Sequence, residues 1–339
     1  MRAESSPAKY SDATIEIVRE LSRLGEAYSE VYLTTRSAEF FPHRAEDWRD
    51  GLGFFLDRAF EHQGTSADFS KIARLAVKET LKRDVDLTNE SAVRNAAKSL
   101  WKYFCEIGEF DQETGKGANA KLSPIFLDGP SARENVLEVC VTLKQFGGNL
   151  YKMALVELRA ARVNEAHSKL KSIRGVRDKI ASLFLRDVAI ENERNLPTDT
   201  VAHWRLQPID RWVERAVGIL APQPFTRRLV AEACIELARA AETSPLLVNA
   251  GAWYLGAQIA KGKFLFGQAL SAPSRFQEIV VSHGKDLRTE GQLLGILFEG
   301  DLRKRFLDDV RKVWRRSNLS EDAAMELARS ELAAHRSGH

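Results

Sequence analysis

Apolar residues recur along this chain at intervals of three and four, the period of a helix with one buried face. Strict alternation of the kind a half-buried strand carries is scarce. The pattern predicts a helix over Asp12–Leu24, opening on an aspartate cap, and another over Trp48–Phe60 despite two glycines. Further helices are predicted over Phe69–Leu81, Ser91–Ile107, Ala132–Phe146 and Leu150–Leu170. Turn residues mark the loops: Asp111–Asn119, Leu122–Pro130, Glu191–Asp199 and Gly218–Pro224. Pro224–Phe266 is expected to hold one helix and then a second, with Ser244 as cap and Pro245 in its first turn, running through Asn249–Gly256. Beyond Pro273, Asp301–Arg316 reads as a basic amphipathic helix with Leu302, Phe306, Val310, Val313 and Trp314 on one stripe. The fold class is therefore all-α, without internal repeats or low-complexity tracts.

Composition narrows this little. A chain of 339 residues, 44% apolar and 29% charged, can build two helical domains with their own cores. The net charge is only +3, but its distribution is uneven. Between Glu157 and Asp187 stand eight basic side chains and four acidic ones. By itself that window suits a solvated helix face as well as a phosphate-facing one. Cys105, Cys140 and Cys234 lie far apart with no CxxC pair, which argues against zinc and redox-dithiol sites, excludes a four-thiolate iron–sulfur loop and fits a reducing cytoplasm. Neither a secretory signal nor an apolar run of membrane-spanning length is found, so the expectation is a cytoplasmic protein without a membrane partner, a metal or a cofactor.

Two short runs carry candidate chemistry. The first, Ile173-Arg174-Gly175-Val176-Arg177-Asp178-Lys179-Ile180-Ala181, reads as a tight glycine turn opening into a helix with a lysine on its first turn. The expected hairpin helices are Leu150–Ser172 and Val176–Val188, with small Ala181 allowing them to approach closely. The second run, Gln207-Pro208-Ile209-Asp210-Arg211-Trp212, sets an aspartate after a proline at the start of a helix over Arg211–Ile219. One amine and one carboxylate, each at the start of a helix, are the minimum parts for Schiff-base chemistry on a sugar carbon. Taken singly, Lys179 reads as a surface lysine and Asp210 as an ordinary cap.

Together the two runs resemble the helix-hairpin-helix DNA glycosylase superfamily, whose pattern is apolar-Pro-Gly-apolar-Gly-x-Lys-x-Ala followed by apolar-Pro-Val-Asp. Arg174 replaces the leading proline and Arg177 the second glycine. The separation of Lys179 from Asp210 and the run Ser244–Gly256 are most similar to the archaeal-type 8-oxoguanine glycosylase branch. The similarity spans roughly residues 40 to 260. It implies two helical domains with a cleft between them. The segments would be an N-terminal helical extension over 1–40, helices over 41–68 that pack with the C-terminal half, and a helical barrel over 69–170. The hairpin, catalytic pair and late helices would follow over 171–270, with extra C-terminal helices over 271–339.

The resemblance also implies a bifunctional glycosylase and AP lyase acting as a monomer on bent DNA with one nucleotide flipped. Lys179 would attack the sugar, and Asp210 would stabilise its developing positive charge and assist deprotonation of the lysine. Arg174, Gly175, Val176 and Arg177 would hold a DNA phosphate, with the arginines supplying direct contacts. The base would be held by candidates among Phe146, Gln145, Asn149, Trp204, Gln207, Trp212 and Trp253, with His203 a further polar reader. The excised base would be 8-oxoguanine or a bulky modified base of phage DNA, the latter making this an antiphage enzyme. The competing expectation is a helix-hairpin-helix DNA-binding protein without catalysis, in which Lys179 contacts a phosphate and Asp210 only caps. A purely structural helical scaffold is the third.

Overall fold

The computed structural model describes residues 10–35, 40–59, 86, 89–108, 140, 142–221 and 226–283. Every regular element among them is helical. In chain order the main helices are α1 (Asp12–Tyr28), α2 (Trp48–Ala59), α3 (Glu90–Gly108), α4 (Leu150–Arg159), α5 (Val163–Lys171), α6 (Asp178–Asn192), α7 (Arg211–Leu220), α8 (Arg227–Ala240), α9 (Pro245–Tyr254), α10 (Lys263–Ala269) and α11 (Pro273–His283). The all-α expectation holds for these residues. The elements expected over Phe69–Leu81, Asp111–Asn119, Leu122–Pro130 and Asp301–Arg316, and most of Ala132–Phe146, lie outside them.

The chain divides into two compact units. One is Leu33–Pro208; the other joins the described residues up to Tyr32 with those from Ile209 onward.

In the unit Leu33–Pro208, α2, α4 and α6 meet around an aromatic cluster. Phe54 stands edge-on to Tyr151 at 5.1 Å and to Phe184 at 5.9 Å, and Phe55 to Phe184 at 5.2 Å. Two buried ionic groups fix α6 beside this cluster. Arg44 grips both oxygens of Glu191 at 2.9 and 2.7 Å, and Tyr151 Oη donates to Glu191 Oε2 at 2.7 Å. Arg58 Nε donates to Asp187 Oδ2 at 3.0 Å while its guanidinium lies 3.5 Å above the Phe54 ring. Burial raises the Glu191 carboxyl above the usual carboxylate range, and Arg44 pulls it back.

The long helix expected over Leu150–Ser172 is instead two. Arg162 N–H donates to Glu157 O at 2.8 Å and Ala161 N–H to Leu158 O at 3.1 Å, the paired bonds of a Schellman ending. Ala161 takes the left-handed conformation there, with φ of 57°. The Glu157 carboxylate then binds Arg162 Nε and Lys169 Nζ, each at 2.6 Å, and ties the two helices across the break. The polar stretch Glu191–Asp199 is likewise mostly helical: α6 runs to Asn192, a 3₁₀ turn covers Glu193–Asn195, and another helical turn starts at Thr198. Gly218 lies inside α7 rather than in a loop.

In the other unit, α1 crosses α9 with the two backbones in contact. A Cβ added to Gly25 would stand 2.0 Å from Leu247 O, and one added to Gly251 1.8 Å from Leu21 O. Glycine at both positions is what allows this approach. A third glycine, Gly256, leaves room for the Trp212 ring, which would stand 2.3 Å from an added Cβ. Ser244 and Pro245 start α9 as expected, but Ser244 makes no side-chain cap bond.

Candidate functional site

The turn between α5 and α6 is built by a division of labour among six residues. Ile173 and Val176 are buried and pull the turn inward, while Arg174 and Arg177 stay exposed. Val176 N–H closes the turn on Ile173 O at 3.1 Å. Gly175 has φ of 84°, which glycine adopts at little cost. Helix α6 then begins at Asp178 and runs to Asn192, two residues later and four further than expected from Val176–Val188. Its cap residue, Arg177, has no side chain bonded back to the helix, so the first-turn amides lack a side-chain acceptor there. Ala181 is fully buried on α6, a helix that packs against α5 as well as α4 and α2.

Lys179 is the second residue of α6 and half-buried. It makes no ion pair or hydrogen bond with the described residues. Three other cations of the hairpin are paired: Lys171 with Asp178 at 2.8 Å, and Lys169 and Arg162 with Glu157. The bond from Lys171 holds the Asp178 carboxyl below its usual range.

A polar link that the periodicity does not reveal joins this hairpin to the segment preceding Asp210. His167, on the buried face of α5, accepts at Nδ1 from Arg205 Nη1 at 2.9 Å. Its Nε2 lies 3.5 Å from Ser182 Oγ and 3.8 Å from Asp178 Oδ1. Arg205 also donates to Asn164 Oδ1 at 2.7 Å and lies 4.6 Å above the Trp204 ring. Desolvation, assisted by the Arg205 charge, lowers the His167 imidazole to about 4, so the ring is neutral at neutral pH. The only signal in the sequence is a histidine among Val163, Ala166 and Leu170 on an otherwise apolar face.

Trp204 is half-buried and stacked on His203 at 6.1 Å. Gln207 follows the 3₁₀ turn Trp204–Leu206, and its side chain is buried with neither amide atom hydrogen-bonded among the described residues. Phe146 is half-buried and Gln145 exposed, on a 3₁₀ turn that ends at Gly147. Asn149 is occupied within the fold: Oδ1 accepts from Lys152 N–H at 3.0 Å and Nδ2 donates to Arg44 O at 3.0 Å.

Three candidates belong to the other unit. Asp210 caps α7, with Oδ1 accepting from Trp212 N–H at 2.9 Å and Val213 N–H at 3.0 Å. Oδ2 takes no hydrogen bond from the described residues, although the side chain is nearly buried. Trp212 is core, seated on Gly256 with the Phe266 ring at 5.0 Å. Trp253 is half-buried and edge-on to Tyr28 at 5.8 Å. The Cys140 and Cys234 thiols are pushed up to about 12 by burial, which makes them poor nucleophiles. Among the described residues no group of His, Cys, Asp or Glu side chains is arranged to hold a metal ion.

No protein family, no curated protein and no solved structure matches the chain.

Proposed function

We propose that this protein is a helix-hairpin-helix DNA glycosylase with lyase activity, in which Lys179 and Asp210 serve one flipped nucleotide. The observation that carries the proposal is the state of Lys179. It is half-buried on the first turn of α6, follows a left-handed glycine turn, and has no anionic partner among the described residues, whereas Lys169 and Lys171 are paired. An amine without such a partner is available to a substrate.

On this reading the Lys179 amine attacks C1′ and the N-glycosidic bond breaks, the base leaving with a proton. The sugar ring then opens to a protonated imine. Loss of a proton from C2′ expels the 3′-phosphate and nicks the strand. Asp210 supports the cationic sugar with Oδ2, since Oδ1 is engaged by the cap. The uncapped first turn of α6 and the Arg174–Arg177 turn take a phosphate.

Borohydride trapping tests this on duplexes carrying an abasic site, 8-oxoguanine, uracil or glucosylated hydroxymethylcytosine. A covalent adduct that disappears in Lys179→Gln while DNA binding is retained is the expected result. Asp210→Asn keeps a good cap residue but removes the charge, so its thermal stability should stay near wild type while excision falls. No adduct on any substrate, abasic DNA included, would leave a DNA-binding protein in which Lys179 contacts phosphate. Absence of salt-dependent DNA affinity as well would leave only a helical scaffold.

A further inference from the structure

Gln207 is 3% exposed, and neither Oε1 nor Nε2 has a hydrogen-bond partner among the described residues. An amide side chain offers two donors and an acceptor, and burying all of them unpaired carries the full cost of stripping their water. Folds seldom keep such a group without a use. Its surroundings are not loosely held. The backbone N–H of Gln207 is bonded to Trp204 O at 3.1 Å, and Arg205 is held by both His167 and Asn164. Three residues further along the chain stands Asp210.

We infer that Gln207 is a specificity-determining residue whose amide pairs with the edge of the flipped nucleobase. This rests on the glycosylase reading above. Nε2 donates to a ring nitrogen or exocyclic oxygen of the base, and Oε1 accepts from the adjacent N–H. The chemical class selected is a base with a lactam or amidine edge, where donor and acceptor stand side by side. A site that needs both bonds rejects a base lacking them, because the buried amide is then left unpaired.

The test compares wild type with Gln207→Met, which keeps the length and removes the polar atoms. Two rates are measured for each: excision of 8-oxoguanine, uracil and glucosylated hydroxymethylcytosine, and borohydride trapping on an abasic duplex, where no base is present to be read. The expected result is that wild type excises at least one of these bases. In Gln207→Met the ratio of its excision rate to abasic trapping should fall roughly 10- to 100-fold. The melting temperature of the variant should equal or exceed that of wild type, since no internal bond is lost.

An unchanged ratio would overturn the assignment. So would a lowered melting temperature with both rates reduced together, which would make Gln207 structural. Wild-type protein that traps abasic DNA yet excises none of these bases would overturn the base-reading role alone. A wild type that traps nothing would remove the glycosylase reading, and this inference with it.

Discussion

His167 shows how one side chain can make the hairpin sensitive to acid. Its ring is buried, accepts from Arg205 and lies close to Asp178 and Ser182. Its folded value of about 4 lies below the ordinary 6.5. The unfolded chain therefore binds the proton first as pH falls. The stability associated with neutral His167 is complete above about 6.5 and is lost as pH drops toward 4, by at most roughly 3 kcal/mol. Glu191 works in the opposite sense, because burial raises its carboxyl. The difference between two proteins, and not the pH slope of one, thus isolates His167. Urea unfolding at pH 7 and pH 5 should cost wild type more stability than His167→Gln. Equal losses in both would remove His167 as the titrating group.

At the scale of elements, the apolar period located α1, α2 and α3 to within a few residues, through the long buried faces of α1 and α3 and, in α2, an apolar stretch buried on every side from Gly51 to Leu56. Asp210 and Ser244 marked the starts of α7 and α9 for the same local reason that caps are legible anywhere. The break after Arg159 was not legible. The spacing of Leu155, Leu158, Val163 and Ala166 carries the helical period through it, and the residue in the left-handed conformation is alanine rather than glycine. What ends α4 is the pair of backbone bonds from Ala161 and Arg162, and the Glu157 carboxylate then ties Arg162 and Lys169 across the break. Of the candidate site, the lysine turn and the capping aspartate were legible because both are local. The His167–Arg205 link and the unpaired Gln207 amide depend on contacts between distant segments, which no spacing encodes. Because Ala161 bears a Cβ at φ of 57°, Ala161→Gly should relieve strain. The greater freedom of glycine in the unfolded chain offsets part of this, leaving a gain of up to about 1 kcal/mol in chemical denaturation. A loss of stability would mean that the methyl group packs at the break.

For the whole molecule, the net charge of +3 misleads in one direction and the basic window Glu157–Asp187 in the other. Many of that window's cations are used internally. Arg162 and Lys169 share Glu157, Lys171 binds Asp178, and Arg186 is buried against Asp187. Arg159 and Arg177 are exposed without a carboxylate partner among the described residues, and Lys179 is half-buried without one. An exposed cation with no partner can displace counterions from DNA; one already neutralised contributes little. On the glycosylase proposal, the salt dependence of DNA binding should therefore be modest, with Arg177 a main contributor beside the glycine turn. Each phosphate contact contributes about 0.9 to the slope of log affinity against log salt. Titrating a labelled duplex at several salt concentrations should show Arg177→Gln reducing that slope by about 1. Lys169→Gln, which removes a charge already paired with Glu157, should leave it nearly unchanged. If Lys169→Gln flattens the slope and Arg177→Gln does not, phosphate is bound on the α4–α5 face and the glycine turn is not the DNA contact.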